Sequence, residues 1–107
     1  MVTSRLMEML CMFDLPVKTA KNRRDYRLFR KFLLKNGFVP LEESVYCRMI
    51  PSGHPLRTLQ ALIRKNKPPE GIVALLTVTE HQFENMEFIT GQWKSNVVDS
   101  AESVVEL

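Results

Sequence analysis

Residues 5–16 read RLMEMLCMFDLP: a nearly unbroken apolar run, one carboxylate at its end, and then a proline. A run of this kind over residues 5–13 fits a strand covered on both faces, because a strand with one wet face alternates polar and apolar side chains. Glu8 interrupts it, and the run itself offers no reason for that residue. Asp14 closes it and has two readings. Asp-Leu-Pro is ordinary turn chemistry, in which the aspartate accepts hydrogen bonds from nearby backbone amides. Alternatively, Asp14 is a metal ligand. One carboxylate holds magnesium only loosely, since that ion takes six oxygens and keeps several waters, so a second ligand must come from elsewhere.

Downstream, Thr19 is placed to cap a long helix that leaves through Asn36-Gly37. At about 100° per residue, Tyr26, Leu28, Phe29, Phe32 and Leu33 share one arc and are expected to face a sheet. Arg23, Arg24, Arg27, Arg30, Lys31 and Lys35 share the other, within roughly 140°. Charge runs are commonly solvated faces. Here acids at i,i+4 that would neutralise the cations are missing apart from Asp25 at the edge, so phosphate binding is the alternative.

Residues 38–50, FVPLEESVYCRMI, split at Pro40 and Glu42-Glu43 into a short strand near 38–41 and a half-buried strand near 44–50. PSGHPL turns the chain and sets Pro55 in the first turn of a second helix, about 55–66, burying Leu56, Leu59, Leu62 and Ile63; NKPPEG ends it. GIVALLTVT (71–79) is a second fully apolar strand. Thr79 and Gln82 form a capping box for a short helix near 80–89, with Phe83 and Met86 inward. VVEL at the end is a possible last strand, which has to pair somewhere, and a partner subunit is one solution. The order is α+β: ferredoxin-like βαββαβ with an antiparallel sheet and two helices on one face, followed by an extra C-terminal helix and strand. Residues 1–91 form the domain and 92–107 an appendage.

At 107 residues the chain is one small domain. No apolar run approaches the roughly 20 residues a membrane helix needs, and the first residues lack the ordered regions of a secretory signal. Cys11 and Cys47 sit in apolar runs and read as buried hydrophobes in a reducing cytoplasm, not as a disulfide or zinc site. Residues 1–40 hold nine Lys/Arg against three Asp/Glu, whereas 41–107 hold six against nine. A basic half on a chain of net charge +3 points to an anionic partner met by one face.

No P-loop, GxSxG, HExxH or CxxC motif is present. His54 and His81 show no acid–base partner in the sequence. Ser44 reads as a strand-edge hydroxyl without a base. Trp93 is expected to pack on its own domain.

MFDLP, then RRDYRLFRKFLLKNGF, SVYCRMI and ALLTVTEHQF, resemble the CRISPR-associated protein Cas2 family in the form found with type II systems, over residues 7–91. The resemblance implies a ferredoxin-like homodimer whose terminal strand is swapped between subunits. It implies that Asp14 and its copy face each other across the two-fold axis and share one Mg²⁺, which would supply the missing ligand. Arg23, Arg24, Arg27, Arg30 and Lys31 lie where the family carries basic residues and become expected nucleic-acid contacts, joined by Lys35 from the same cationic arc, and Ser44-Val45-Tyr46 matches an auxiliary serine-valine-aromatic element. The implied function is CRISPR adaptation: the dimer bridges Cas1 integrase dimers and holds a duplex prespacer for insertion into the array. The alternative is a magnesium-dependent nuclease, cutting RNA or duplex DNA with Asp14 as the catalytic residue. Pro16 and Val17 depart from a ligand-rich loop, so the expected metal keeps mostly water ligands. A third reading is an unrelated ferredoxin-like small-molecule sensor.

Overall fold

A computed structural model describes residues 6–53 and 55–93. The elements follow the order β1 (Met7–Asp14), α1 (Ala20–Lys35), β2 (Val39–Glu42), β3 (Val45–Ile50), α2 (Leu56–Lys65), β4 (Ile72–Thr79) and α3 (Glu80–Glu84). The sheet order is β2-β3-β1-β4, with every pair antiparallel, as in a ferredoxin-like α+β fold. The terminal VVEL strand and His54 lie outside the described residues.

Strand alternation sorts β1 into two faces. Met9, Cys11 and Phe13 pack under the helices with Phe29 and Leu33 of α1, Leu59 and Ile63 of α2, and Tyr46 and Ile50 of β3. Phe13 is the centre of an aromatic group, 5.5 Å from Phe29, 5.6 Å from Tyr46 and 6.0 Å from Tyr26. On the opposite face Leu10, Leu41 and Cys47 form a smaller cluster covered by Val45, Phe83 and Trp93. Trp93 therefore packs on its own domain and meets Phe88 edge to face.

The helix ends follow from local chemistry. Thr19 and Asn22 exchange hydrogen bonds in a capping box at the start of α1. At its other end Phe38 N–H donates to the Leu33 carbonyl and Gly37 N–H to that of Leu34, a Schellman arrangement that Gly37 permits at φ +88°. The Arg48 guanidinium adds a bond to the Asn36 carbonyl (3.1 Å), a cation where the helix dipole is negative. Thr79 and Gln82 form the second capping box.

Three expectations are corrected. Leu28, assigned to the sheet-facing arc of α1, is 53% exposed, because α1 seats on Phe29 and Leu33 and turns Leu28 to the groove beside Pro68 and Pro69. Leu62 of α2 is likewise partly exposed. The third helix spans only residues 80–84, since the Asn85 backbone N–H closes it on the His81 and Gln82 carbonyls. In addition, β4 is largely apolar yet has no fully buried residue; on the face away from α1 and α2, Ile72 is 66% and Leu76 48% exposed. Met49 of β3 is exposed on the same face. Among the described residues no helix is long and apolar enough to cross a membrane.

Candidate nucleic-acid interface and carboxylate site

The six cations assigned to the polar arc of α1 are all exposed, on the face opposite Phe29 and Leu33. They do different work. Arg23 donates from Nη1 to the Val17 and Lys18 carbonyls (3.1 Å each), so it ties the β1–α1 loop to the helix. An ion pair joins Lys21 to Asp25 (3.0 Å), the acid at the edge of the cationic arc. Among the described residues, Arg24, Arg27, Arg30, Lys31 and Lys35 make no ion pair, leaving five cations to the solvent side of one helix.

Asp14 is the last residue of β1, exposed, and opposite Ile72 of β4. Cross-strand partners share a face, so Asp14 lies on the side of the sheet opposite α1 and α2, away from the α1 cations. Its position is held from behind. Gly71 passes so close that an added Cβ would stand 2.6 Å from the Asp14 carbonyl oxygen. Among the described residues no three His, Cys, Asp or Glu side chains converge as a metal-binding group. Asp14 thus presents one exposed carboxylate beside the Leu15-Pro16 turn.

Ser44 and Tyr46 separate. Ser44 is exposed in the β2–β3 turn, where its carbonyl accepts from Phe13 N–H (3.0 Å). Tyr46 is buried in the helix-side core and does not share a face with Asp14. Tyr26 donates from its hydroxyl to the Glu43 carbonyl (3.2 Å), and its phenol is pushed up by burial first and then by Tyr46 and Glu43, with Arg30 opposing. This grouping of Tyr26, Arg30 and the β2–β3 turn went unremarked in the sequence because its members are 4 to 17 residues apart with no motif between them. His81 bonds Asn85 (3.1 Å) within α3.

Two further groups are perturbed. Cys11 and Cys47 are free thiols on opposite faces of the sheet, each pushed up to about 12, chiefly by burial. Glu8 is pushed above its usual 4.5, by lost solvation first and the Glu80 carboxylate second. It sits on the face away from α1 and α2, paired with Val78 and Met49 on the neighbouring strands.

Comparison with known proteins accords with this architecture. The profile of the family described as CRISPR associated protein Cas2 matches residues 7–86. A protein of Treponema denticola named CRISPR-associated endoribonuclease Cas2 is 43% identical over 101 residues, covering 94% of this chain and all of that one. Proteins of the same name from Lacticaseibacillus rhamnosus and Streptococcus mutans are 41% and 39% identical, over 92% and 94% of this chain and 98% and 93% of theirs. On this similarity, running almost end to end and through the strand that ends in Asp14, the chain belongs to the CRISPR-associated protein Cas2 family.

Proposed function

We propose that this protein acts in CRISPR adaptation as a homodimer that holds duplex DNA along α1 and bridges Cas1 integrase dimers during spacer insertion. The observation that carries the DNA part is the row of five solvent-facing cations on α1 without carboxylate partners among the described residues. Such a row attracts phosphates, and each phosphate neutralised releases condensed counterions. The dimer rests on different observations. The face away from α1 and α2 exposes Ile72 beside Asp14, with Leu76 and Met49 farther along the sheet, apolar side chains suited to a second copy. Of the two sheet edges, β2 is interrupted by Pro40 and a register shift, whereas β4 offers eight regular residues to which residues 104–107 of a partner can add.

In a two-fold dimer, Asp14 near the axis meets its own copy, and two close carboxylates repel unless a cation sits between them. Magnesium bound there would polarise a phosphodiester or prepare a water. This supports the second reading, a magnesium-dependent nuclease, which is favoured by the exposed Asp14 and by the endoribonuclease name carried by the relatives. Asp14 is required by the nuclease and dispensable for bridging.

The test is duplex binding over a range of salt, with and without Cas1. Log affinity should fall against log salt with a slope near −0.9 per phosphate contact. Arg27→Glu with Lys31→Glu should weaken binding for every sequence and flatten the slope. Undiminished affinity in the folded double variant would place the DNA elsewhere, and failure to co-elute with Cas1 on duplex DNA would remove the bridging role.

A further inference from the structure

We infer that the groove between α2 and the β4 edge receives Glu102, Val104 and Glu106 of a second copy, with Arg64 and Lys67 binding the two carboxylates. The inference rests on the proposed strand exchange and gives it a facing and a recognition site. The groove measures ≈ 490 Å³. Its apolar lining is Ile63 of α2 with Val73 and Leu75 of β4, and Gln60, Arg64 and Lys67 supply polar and cationic groups. Among the described residues neither cation has a carboxylate partner, and α2 itself contains no acid. β4 is an outer strand of the sheet, so this groove runs beside an open backbone edge.

The two faces of β4 differ, and so do the two faces of the segment that would join it. Val73 and Leu75 turn toward the helices, whereas Ile72 and Leu76 are exposed on the other side. Residues 102–107 read ESVVEL. On an added strand, side chains alternate, so Glu102, Val104 and Glu106 share one face and Ser103, Val105 and Leu107 the other. Only one facing satisfies both sides. Val104 then covers Val73 and Leu75 while its flanking carboxylates meet the cations of α2, and Val105 and Leu107 extend the apolar row of Ile72 and Leu76. The reverse facing would set two carboxylates beside exposed apolar side chains and leave Arg64 and Lys67 unmatched. Residues 94–107 as a whole carry three acids against one lysine, the charge that this rim attracts. Trp93 packs beside Leu41 of β2 and Cys47 of β3, so the described chain ends over the part of the sheet away from its own β4 edge. A second copy is therefore the source to which the geometry points.

The test is charge exchange in the full chain, read as the dimer dissociation constant by sedimentation. One variant carries Arg64→Glu with Lys67→Glu, a second Glu102→Lys with Glu106→Lys. Each alone should weaken the dimer by about 5- to 500-fold, the range for up to four exposed ion pairs in a two-fold assembly. Mixing the two variants should restore a dimer containing one chain of each, because every exchanged segment then meets a groove of opposite charge. Restoration only when all four substitutions share one chain would overturn the second copy and put the segment in its own groove. If the groove variant does not fold, salt decides the matter: sodium chloride should weaken the wild-type dimer, and Glu102→Gln with Glu106→Gln should remove that dependence. Dimers of unchanged strength in every variant, or equal salt dependence, would overturn recognition by Arg64 and Lys67 and leave the face-to-face dimer standing. A wild-type chain that stays monomeric at micromolar concentration would overturn both.

Discussion

Gly71 and Asp14 are locked together by backbone: Gly71 has φ +96°, and a Cβ there would stand 2.6 Å from the Asp14 carbonyl and 3.0 Å from Leu15 Cα. Neither neighbour is the tip of a flexible side chain, so relief requires moving the chain around the candidate carboxylate. Gly71→Ala should destabilise the protein by about 1–3 kcal/mol, through both the left-handed conformation and the clash. Urea unfolding measures this, and an unchanged midpoint would show that the end of β1 gives way freely. Gly53, which also has positive φ but open space around it, is the control position for the conformational part alone.

Glu8 gives a pH dependence with a definite sign. Its folded pKa lies above the usual 4.5 because burial, and then Glu80, disfavour the carboxylate. The folded state binds this proton more tightly than the unfolded one. The contribution is therefore fully present below the unfolded value and is lost as pH rises through the folded value. Glu8→Gln should remove that loss, so the stability difference, variant minus wild type, should grow as pH climbs above about 4.5. A difference that stays flat with pH would mean the carboxyl is well solvated.

Much of this fold was legible because each element carries its own signal. The apolar run before Asp14, the capping threonines Thr19 and Thr79, and the Asn36-Gly37 exit each act within a few residues, and their elements formed within one to two residues of expectation except at the end of α3. What escaped was set by distance along the chain. Arg48 was an alternating position on a strand, and only the hairpin return places it against the α1 carbonyl end. Leu28 lies on the apolar arc, but which edge of that arc seats on the sheet depends on α2 and the Pro68-Pro69 turn. Asp14 was visible as an oddity, while its support by Gly71 was not.

The proposed dimer predicts a cost that a monomer would not share. Leu76 is half exposed on the face away from α1 and α2, so Leu76→Glu should change the unfolding free energy of a single chain by only about 0.5 kcal/mol. Across a two-fold interface it would place two unpaired carboxylates among apolar side chains, one from each copy. Sedimentation should then show a shift to monomer. A variant that remains dimeric at micromolar concentration would move the interface to another face.

Strand exchange is tested separately by removing residues 103–107. If their backbone pairs with the free edge of the partner's β4, truncation should weaken the dimer and promote aggregation, because it leaves a regular eight-residue edge uncovered. A truncated protein that dimerises as tightly as the full chain would exclude the exchange while leaving the stacked face intact.

Native thiol labelling follows from the two cysteines. Both are buried, on opposite faces, with thiols pushed up to about 12, so the nucleophilic thiolate is scarce at neutral pH. Alkylation of the folded protein should be slow and track unfolding. Rapid modification of Cys47 alone would show that the cover of Val45, Phe83 and Trp93 opens readily.

Asp14→Asn separates the two proposed functions. The substitution preserves size and a turn-forming side chain but removes the charge, and Asp14 is exposed, so the strand should fold as before. In a homodimer it also removes a repelling carboxylate pair, so without magnesium the stability should hold or rise slightly. The α1 cations lie on the other side of the sheet, and the salt dependence of duplex binding should be unchanged. On the proposed reading, the variant should therefore lose any magnesium-dependent cleavage and any stabilisation by magnesium, while still supporting spacer integration beside Cas1. A folded, dimeric Asp14→Asn protein that binds duplex normally yet fails in integration would make the carboxylate pair central, and the nuclease would become the better reading.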